Sequence, residues 1–113
     1  MEALLTKDFL ISLVTVEDFH VNFKSVSIHV VCIENNIDVR YRMELFGIVY
    51  CEFLQNETEE DFSVLDTFLK QGSEVILPNS RFPEDRENFW VLEFLSGLLQ
   101  LTVGFRTLKL TKL

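Results

Sequence analysis

Apolar and charged residues alternate without a break over residues 37–45. The odd positions are apolar, and the even positions are Asp38, Arg40, Arg42 and Glu44. A period of two is typical of a β-strand with one buried face and one solvated face. Asn35 and Asn36 precede this stretch, and asparagine tolerates the positive φ that a two-residue hairpin turn requires. The pattern therefore predicts a hairpin with arms at about 25–34 and 37–46.

Gly47 interrupts the apolar pattern after the second arm of this hairpin. A glycine inside a strand pattern favours a bulge or a bend. We expect either two strands, at 37–46 and 48–55, or one strand that is broken by a kink.

The apolar stretch near the C-terminus could be read as a buried helix, but Ser96 and Gly97 interrupt it with a hairpin signal. Because apolar residues alternate on both sides of this signal, we predict strands at about 88–95 and 98–105. The apolar parity flips after the second strand. A flip requires an inserted residue, which predicts a bulge near 104–106.

Helical spacing is clearest between about 59 and 71. Thr58 to Asp61 resembles a capping box, and Lys70 and Gly72 are typical of a helix end. One apolar face is formed by Phe62, Leu65, Phe68 and Leu69. We predict a helix that buries this face, with Trp90 buried against its Phe62 and Phe68 side chains. A short strand at 74–78 and a polar loop at 79–88 follow.

Residues 2–14 fit two patterns. Leu4, Leu5, Phe9, Leu10 and Leu13 form a helical stripe, whereas the residues from Ile11 onward fit the start of a strand. We favour a short N-terminal helix or turn. The predicted fold is α+β: a mainly antiparallel sheet of about six to seven strands, curved or a half-barrel, with the 59–71 helix packed on it.

Composition agrees with a single domain over residues 1–113. The chain is 48% hydrophobic and holds 11 phenylalanines, enough for an aromatic core. Its net charge of −8 repels phosphates, so we expect neither direct nucleic-acid binding nor contact with an anionic membrane. A basic protein partner is favoured, although solubility alone also explains the charge.

The N-terminus has neither a basic region nor a cleavage site, and no uncharged apolar run is long enough to span a membrane. Cys32 and Cys51 lie in apolar strand-like runs and do not make a disulfide framework. We therefore expect free thiols and a cytoplasmic location.

Few side chains are candidates for catalytic groups or metal ligands. Asp18 and His20 would share a face of a strand, so a hydrogen-bonded pair is expected there, most simply as a polar pair at a strand edge. His29 and Cys32 have opposite strand parity, which argues against a metal site that uses both. We therefore predict no enzymatic activity, no metal and no cofactor.

Acidic residues form two clusters, and we predict that both bind a partner. The first cluster comprises Glu57, Glu59, Glu60 and Asp61, and the second comprises Glu84, Asp85 and Glu87. We expect both clusters to adjoin elements that end at one surface. The first cluster would also complement the dipole of the predicted helix. The second choice is the charged face of the alternating strand, Asp38, Arg40, Arg42 and Glu44, which solubility also explains.

Two segments resemble small bacterial immunity proteins of polymorphic-toxin systems: "DFHVNFKSVSIHVVCIENNIDVRYRM" and "NFWVLEFLSGLLQLTVGFRTLKL". Val21 stands where that family has an aspartate, so no functional residue is carried over. The resemblance implies a protein that binds and neutralises a cognate toxin in the cytoplasm. From the net charge of −8 we expect that toxin to be basic, with a nuclease as one candidate. The alternative is a non-enzymatic ligand-binding or adaptor domain of a small bacterial or phage protein. A toxin gene beside this one would favour the first.

Overall fold

The computed structural model describes residues 4–55, 62–64, 66–72, 89–96 and 99–113. These residues form one short helix and nine strands in two antiparallel sheets. The predicted α+β class with mainly antiparallel strands is confirmed, although the described strands exceed the expected six to seven. The elements are α1 (Lys7–Ser12), β1 (Leu13–Val21), β2 (Ser25–Glu34), β3 (Ile37–Phe46), β4 (Tyr50–Gln55), β5 (Phe62–Ser63), β6 (Asp66–Gln71), β7 (Trp90–Leu95), β8 (Leu99–Phe105) and β9 (Thr107–Lys112).

The N-terminal segment contains a helix that runs directly into a strand. Thr6 caps α1, because its side-chain oxygen accepts a hydrogen bond from the backbone N–H of Phe9 at 3.1 Å. The helix ends at Ser12 and β1 begins at Leu13. The predicted short helix is confirmed, and the strand pattern belongs to the residues after it. No helix in the described ranges is long and apolar enough to cross a membrane.

β1, β2 and β3 form a meander within the five-stranded sheet, whose order is β5-β1-β2-β3-β9. Asn35 and Asn36 join β2 to β3 with φ values of 52° and 64°. Glu34 pairs with Ile37 on either side of this turn. The turn therefore has the positive φ values that the sequence predicted, and it fixes the register of the hairpin.

A corner carries the chain between this sheet and the four-stranded sheet, whose order is β4-β8-β7-β6. β3 continues into β4 through Gly47, which has a φ of +64°. β8 continues into β9 through Arg106. The bend expected at Gly47 is confirmed. The bulge expected near 104–106 is wrong: the apolar parity flips there because the chain passes at Arg106 from a strand of one sheet to a strand of the other.

The helix predicted over 59–71 is wrong wherever the structure describes that range. Residues 62–63 form β5, and residues 66–71 form β6. β6 pairs with β7, so that Leu69 lies opposite Leu92. Local spacing favoured a helix, but a strand pairing with distant residues determines the structure, as often happens where β-propensity depends on context.

Phe68 consequently does not lie in the core. It is 41% exposed on β6, which is the last strand of its sheet. Trp90 is half-buried and pairs with Gln71 across the same ladder. The expectation that Phe68 and Trp90 are buried together is therefore wrong, because the strand turns Phe68 away from the interior.

The terminal hairpin of β7 and β8 matches the prediction from the sequence. The backbone N–H of Ser96 donates to the carbonyl oxygen of Leu99 at 2.9 Å, and the N–H of Leu99 donates to Ser96 Oγ at 2.8 Å. These bonds fix the strand ends on both sides of the turn. The strand and loop expected over 74–88 lie outside the described residues.

One hydrophobic core lies between the two sheets and is formed by the inward-facing side chains of both. On β7 and β8 the opposite face is buried too, because Val91 and Thr102 project from it and are shielded from water. Burial on both faces removes the wet–dry alternation, which explains why this stretch of sequence also fits a buried helix. The core between the sheets includes Val26, Ile28, Val30, Cys32, Met43, Leu45, Leu92, Phe94, Leu101, Val103 and Phe105.

Candidate functional site

The alternating charges of β3 lie on the outer face of the five-stranded sheet. Met43 and Leu45, which alternate with them, are fully buried on the inner face. The register extends the outer face onto the neighbouring strands β1, β2 and β9. We call this surface the charged face; it comprises Glu17, Asp18, His20, His29, Asp38, Arg40, Arg42, Glu44 and Lys109.

Two ion pairs neutralise much of the charged face. Arg40 Nε donates to Glu17 Oε1 at 2.8 Å, across the intervening strand β2. Arg42 Nε lies 3.3 Å from Glu44 Oε1, but the geometry makes no hydrogen bond, and this nitrogen is shielded from water. Because exposed ion pairs contribute little stability, the pairing does not by itself explain why the charges are placed here.

The predicted Asp18–His20 pair is present on the charged face. His20 Nε2 lies 2.9 Å from Asp18 Oδ2, and the two side chains are 70% and 52% exposed. Asp18 also lies opposite His29, and His29 opposite Arg42, which makes a polar row across three strands. Such a row can present hydrogen-bond donors and acceptors to a partner protein.

Cys32 and His29 lie on opposite faces of β2, as their parity predicted. Cys32 is buried in the core, and both cysteines are free thiols. Burial raises the pKa of the Cys32 thiol and of the Cys51 thiol, so both stay protonated near neutral pH. In the part of the chain that the structure describes, no three His, Cys, Asp or Glu side chains converge as metal ligands do.

Tyr41 makes a hydrogen bond within the sheet and a ring contact with the helix. Tyr41 donates its hydroxyl to Glu34 Oε1 at 2.5 Å. This bond, with burial adding to it, raises the pKa of Tyr41 to about 12. The ring of Phe9 in α1 packs edge-on against the ring of Tyr41, with centroids 5.1 Å apart. Tyr41 therefore positions α1 as well as the sheet.

An open groove of about 580 Å³ lies between α1 and the edge strand β6. Lys7 and Asp66 are its charged lining residues. A smaller cavity of about 150 Å³ shares part of this lining and reaches Leu13. The apolar lining of the groove is Leu5, Leu10, Ile11, Phe68 and Leu69.

Thr67 is the polar group in the middle of this lining. Its hydroxyl oxygen is buried and has no hydrogen-bond partner. Thr67 lies opposite the fully buried Phe94, so its side chain points under α1, whereas strand alternation turns Asp66 to the other face. Lys7 and Thr67 were not among the predicted site residues, because a helix over 59–71 does not form a groove edge. No local sequence signal indicates the groove, because the strand that forms its edge depends on pairing with β7.

The seven acidic residues predicted to bind a partner, Glu57, Glu59, Glu60, Asp61, Glu84, Asp85 and Glu87, lie outside the described residues. Described residues that flank the two clusters include Gln55, Phe62 and Phe89. Gln55 pairs with Leu99, and Phe89 precedes Trp90, which pairs with Phe105. Gln55 and Phe89 thus lie near opposite ends of β8. The expectation that both clusters adjoin one surface stays a prediction.

Comparison with protein-family models, with curated proteins and with solved structures found no significant match.

Proposed function

We propose that this chain binds a basic protein toxin and neutralises it, as an immunity protein does. The observation that carries the proposal is the uneven distribution of charge. Residues 56–61 and 73–88 hold eight acidic residues against two arginines, a net charge of −6 within a total of −8. A concentrated negative charge attracts a concentrated positive one and speeds the encounter of two proteins.

The nature of the partner follows from the sign of this charge. A toxin that cleaves nucleic acid must carry cations around its active site, because its substrate is a polyanion. An acidic inhibitor competes for that same surface. The resemblance of the two hairpin segments to immunity proteins supports the same partner class. The charged face, with Asp38, Arg40, Arg42 and Glu44, is the second surface that such a partner could contact.

The proposed mechanism is binding without catalysis. The Asp18–His20 contact of 2.9 Å is open to solvent, since the two side chains are 52% and 70% exposed. His20→Ala should therefore leave neutralisation of the toxin intact. A variant that folds normally but no longer protects would show that the pair has a functional role.

The test is co-expression with a toxin domain encoded beside this gene, followed by association rates at low and high salt. Reversing Glu84, Asp85 and Glu87 to lysine should slow association and reduce its salt dependence. A matched control reverses three exposed acids elsewhere, Asp8, Glu52 and Asp66, which changes the net charge by the same amount. Association that ignores salt and responds equally to both triple reversals would contradict the electrostatic mechanism.

A further inference from the structure

The groove between α1 and β6 has the size and the lining of a small-molecule site. Its volume of about 580 Å³ lies within the range that ligand pockets usually have. Its walls are mainly aliphatic and aromatic, and few polar groups interrupt them. Ile11 on the helix and Phe68 on the strand are 70% and 41% exposed at its edges. Exposed apolar side chains on both sides of an apolar groove favour an apolar occupant.

Two hydrogen-bond donors in this lining have no partner among the residues that the structure describes. The buried Thr67 hydroxyl is unpaired, a condition that native structures rarely leave unexplained. Lys7 lies in the same lining, and no acidic side chain described in the structure lies within ion-pairing distance of its ammonium group. A hydroxyl donor and an ammonium group together are complementary to a carboxylate.

We propose that this groove binds a small aliphatic carboxylate. Its carboxylate accepts hydrogen bonds from the Lys7 ammonium group and the Thr67 hydroxyl. Its hydrocarbon chain lies between Leu10 and Ile11 of α1 and Leu69 of β6. Asp66 also lines the groove, but strand alternation places it with Phe68 on the face of β6 opposite to Thr67. The site is independent of the proposed toxin binding, which uses other surfaces.

The hydrocarbon chain should control affinity. Each methylene that enters the groove contributes about 0.8 kcal/mol, which is roughly a fourfold gain in affinity. Decanoate should therefore bind about 15-fold more tightly than octanoate. Decanol, which has the same chain length without the charge, should bind more weakly than decanoate.

The experiment titrates decanoate, below its micelle concentration, into the full-length protein and follows backbone amide shifts by NMR. We expect saturable binding with shifts that centre on Lys7–Ser12 and Asp66–Gln71. Binding that does not saturate, or shifts that centre elsewhere, would overturn the proposal. Equal affinities for octanoate and decanoate would also overturn the proposal. That result would favour a protein partner whose apolar side chains bind in the groove.

Two variants test the polar contacts. Lys7→Gln should weaken decanoate binding roughly two- to fivefold, as the loss of a partly exposed ion pair does. Lys24→Gln is the matched control, because this exposed lysine lies beyond the far end of β1, about 25 Å along the strand from α1. Thr67→Val preserves the shape of the side chain and should weaken binding about two- to tenfold. Unchanged affinity in both Lys7→Gln and Thr67→Val would refute the proposed orientation.

Discussion

The backbone N–H of Arg106 donates a 2.9 Å hydrogen bond to the carbonyl oxygen of Phe46. This bond joins the two connections through which the chain passes from one sheet to the other. On the far side of the corner, the N–H of Val49 donates to the carbonyl oxygen of Gly104 at 2.7 Å. Gly47 lies between them with a φ of +64°, and a Cβ atom there would be 2.9 Å from the Cβ of Arg106. Both the backbone conformation and the available space therefore require glycine.

Gly47→Ala should destabilise the protein strongly. The left-handed conformation alone costs an alanine about 1–2 kcal/mol, and the contact with Arg106 adds to this cost. Asn36→Ala is the matched control, because Asn36 has the same φ of 64° but lies in an exposed turn. Free energies of unfolding from urea titrations should fall further for Gly47→Ala. An equal or smaller loss would mean that the corner has room to relax.

The corner and the hairpins could be predicted because local sequence determines them. Asn35 and Asn36 supply positive φ, Gly47 interrupts a strand pattern, and a strict alternation of charge and apolarity leaves β3 one face to bury. Each signal lies within a few residues of the structure that it predicts. The pairing of β3 with β9, by contrast, has no local signal.

The strand β6 could not be predicted for the same reason. Phe68 and Leu69 fit a helical face, and the preceding acids fit a helix N-terminus. What makes this segment a strand is its ladder with β7, which lies about twenty residues further along the chain. The groove depends on that strand, so neither its volume nor the unpaired Thr67 hydroxyl could be deduced from the sequence.

Phe94→Ala in the core should destabilise the protein more than Phe68→Ala on the edge strand. Phe94 is fully buried, and truncating it should cost about 3–5 kcal/mol of unfolding free energy. Truncating Phe68, which is 41% exposed on β6, should cost less than about 1.5 kcal/mol of unfolding free energy. Urea denaturation of both variants measures the difference. Comparable losses would place Phe68 inside the core, as the mistaken helix would have required.

The Arg40–Glu17 ion pair should contribute little to stability. Its side chains are 56% and 40% exposed, so solvent screens the 2.8 Å contact. A double-mutant cycle with Arg40→Ala and Glu17→Ala should give a coupling energy of about 0.2–1 kcal/mol. A coupling above about 2 kcal/mol would assign the charged face a structural role. A small value leaves its residues free to serve a partner.

Tyr41 should ionise only at strongly alkaline pH. The Glu34 hydrogen bond, together with burial, raises its pKa from 10.0 to about 12, so the folded protein holds this proton more tightly than the unfolded chain. The stability from this bond is therefore complete below about pH 10 and is lost as the pH rises through 12. The chain has two tyrosines, so tyrosinate absorbance in Tyr50→Phe reports Tyr41 alone.

In that background, Glu34→Gln removes the carboxylate that accepts the hydrogen bond and should lower the pKa of Tyr41 toward its ordinary value. Glu52→Gln is the control, because Glu52 is not among the groups that act on the pKa of Tyr41. An unchanged pKa of Tyr41 in Glu34→Gln would show that burial, and not the bond, dominates.

Thr67→Val removes a buried hydroxyl and should increase the stability of the protein. The Thr67 oxygen is buried without a partner, and valine fills the same space without an unpaired polar group. We expect the free energy of unfolding to rise by about 1 kcal/mol.

Thr102→Val is the matched control, since Thr102 is also buried but accepts a hydrogen bond from Gln100 Nε2 at 3.2 Å. That variant should lose stability, because it leaves the amide of Gln100 without this acceptor. A loss of equal size in both variants would mean that the Thr67 hydroxyl already has a partner, such as a water molecule in the groove. Opposite signs would show that the unpaired Thr67 hydroxyl lowers the stability of the protein, which agrees with a group kept for binding.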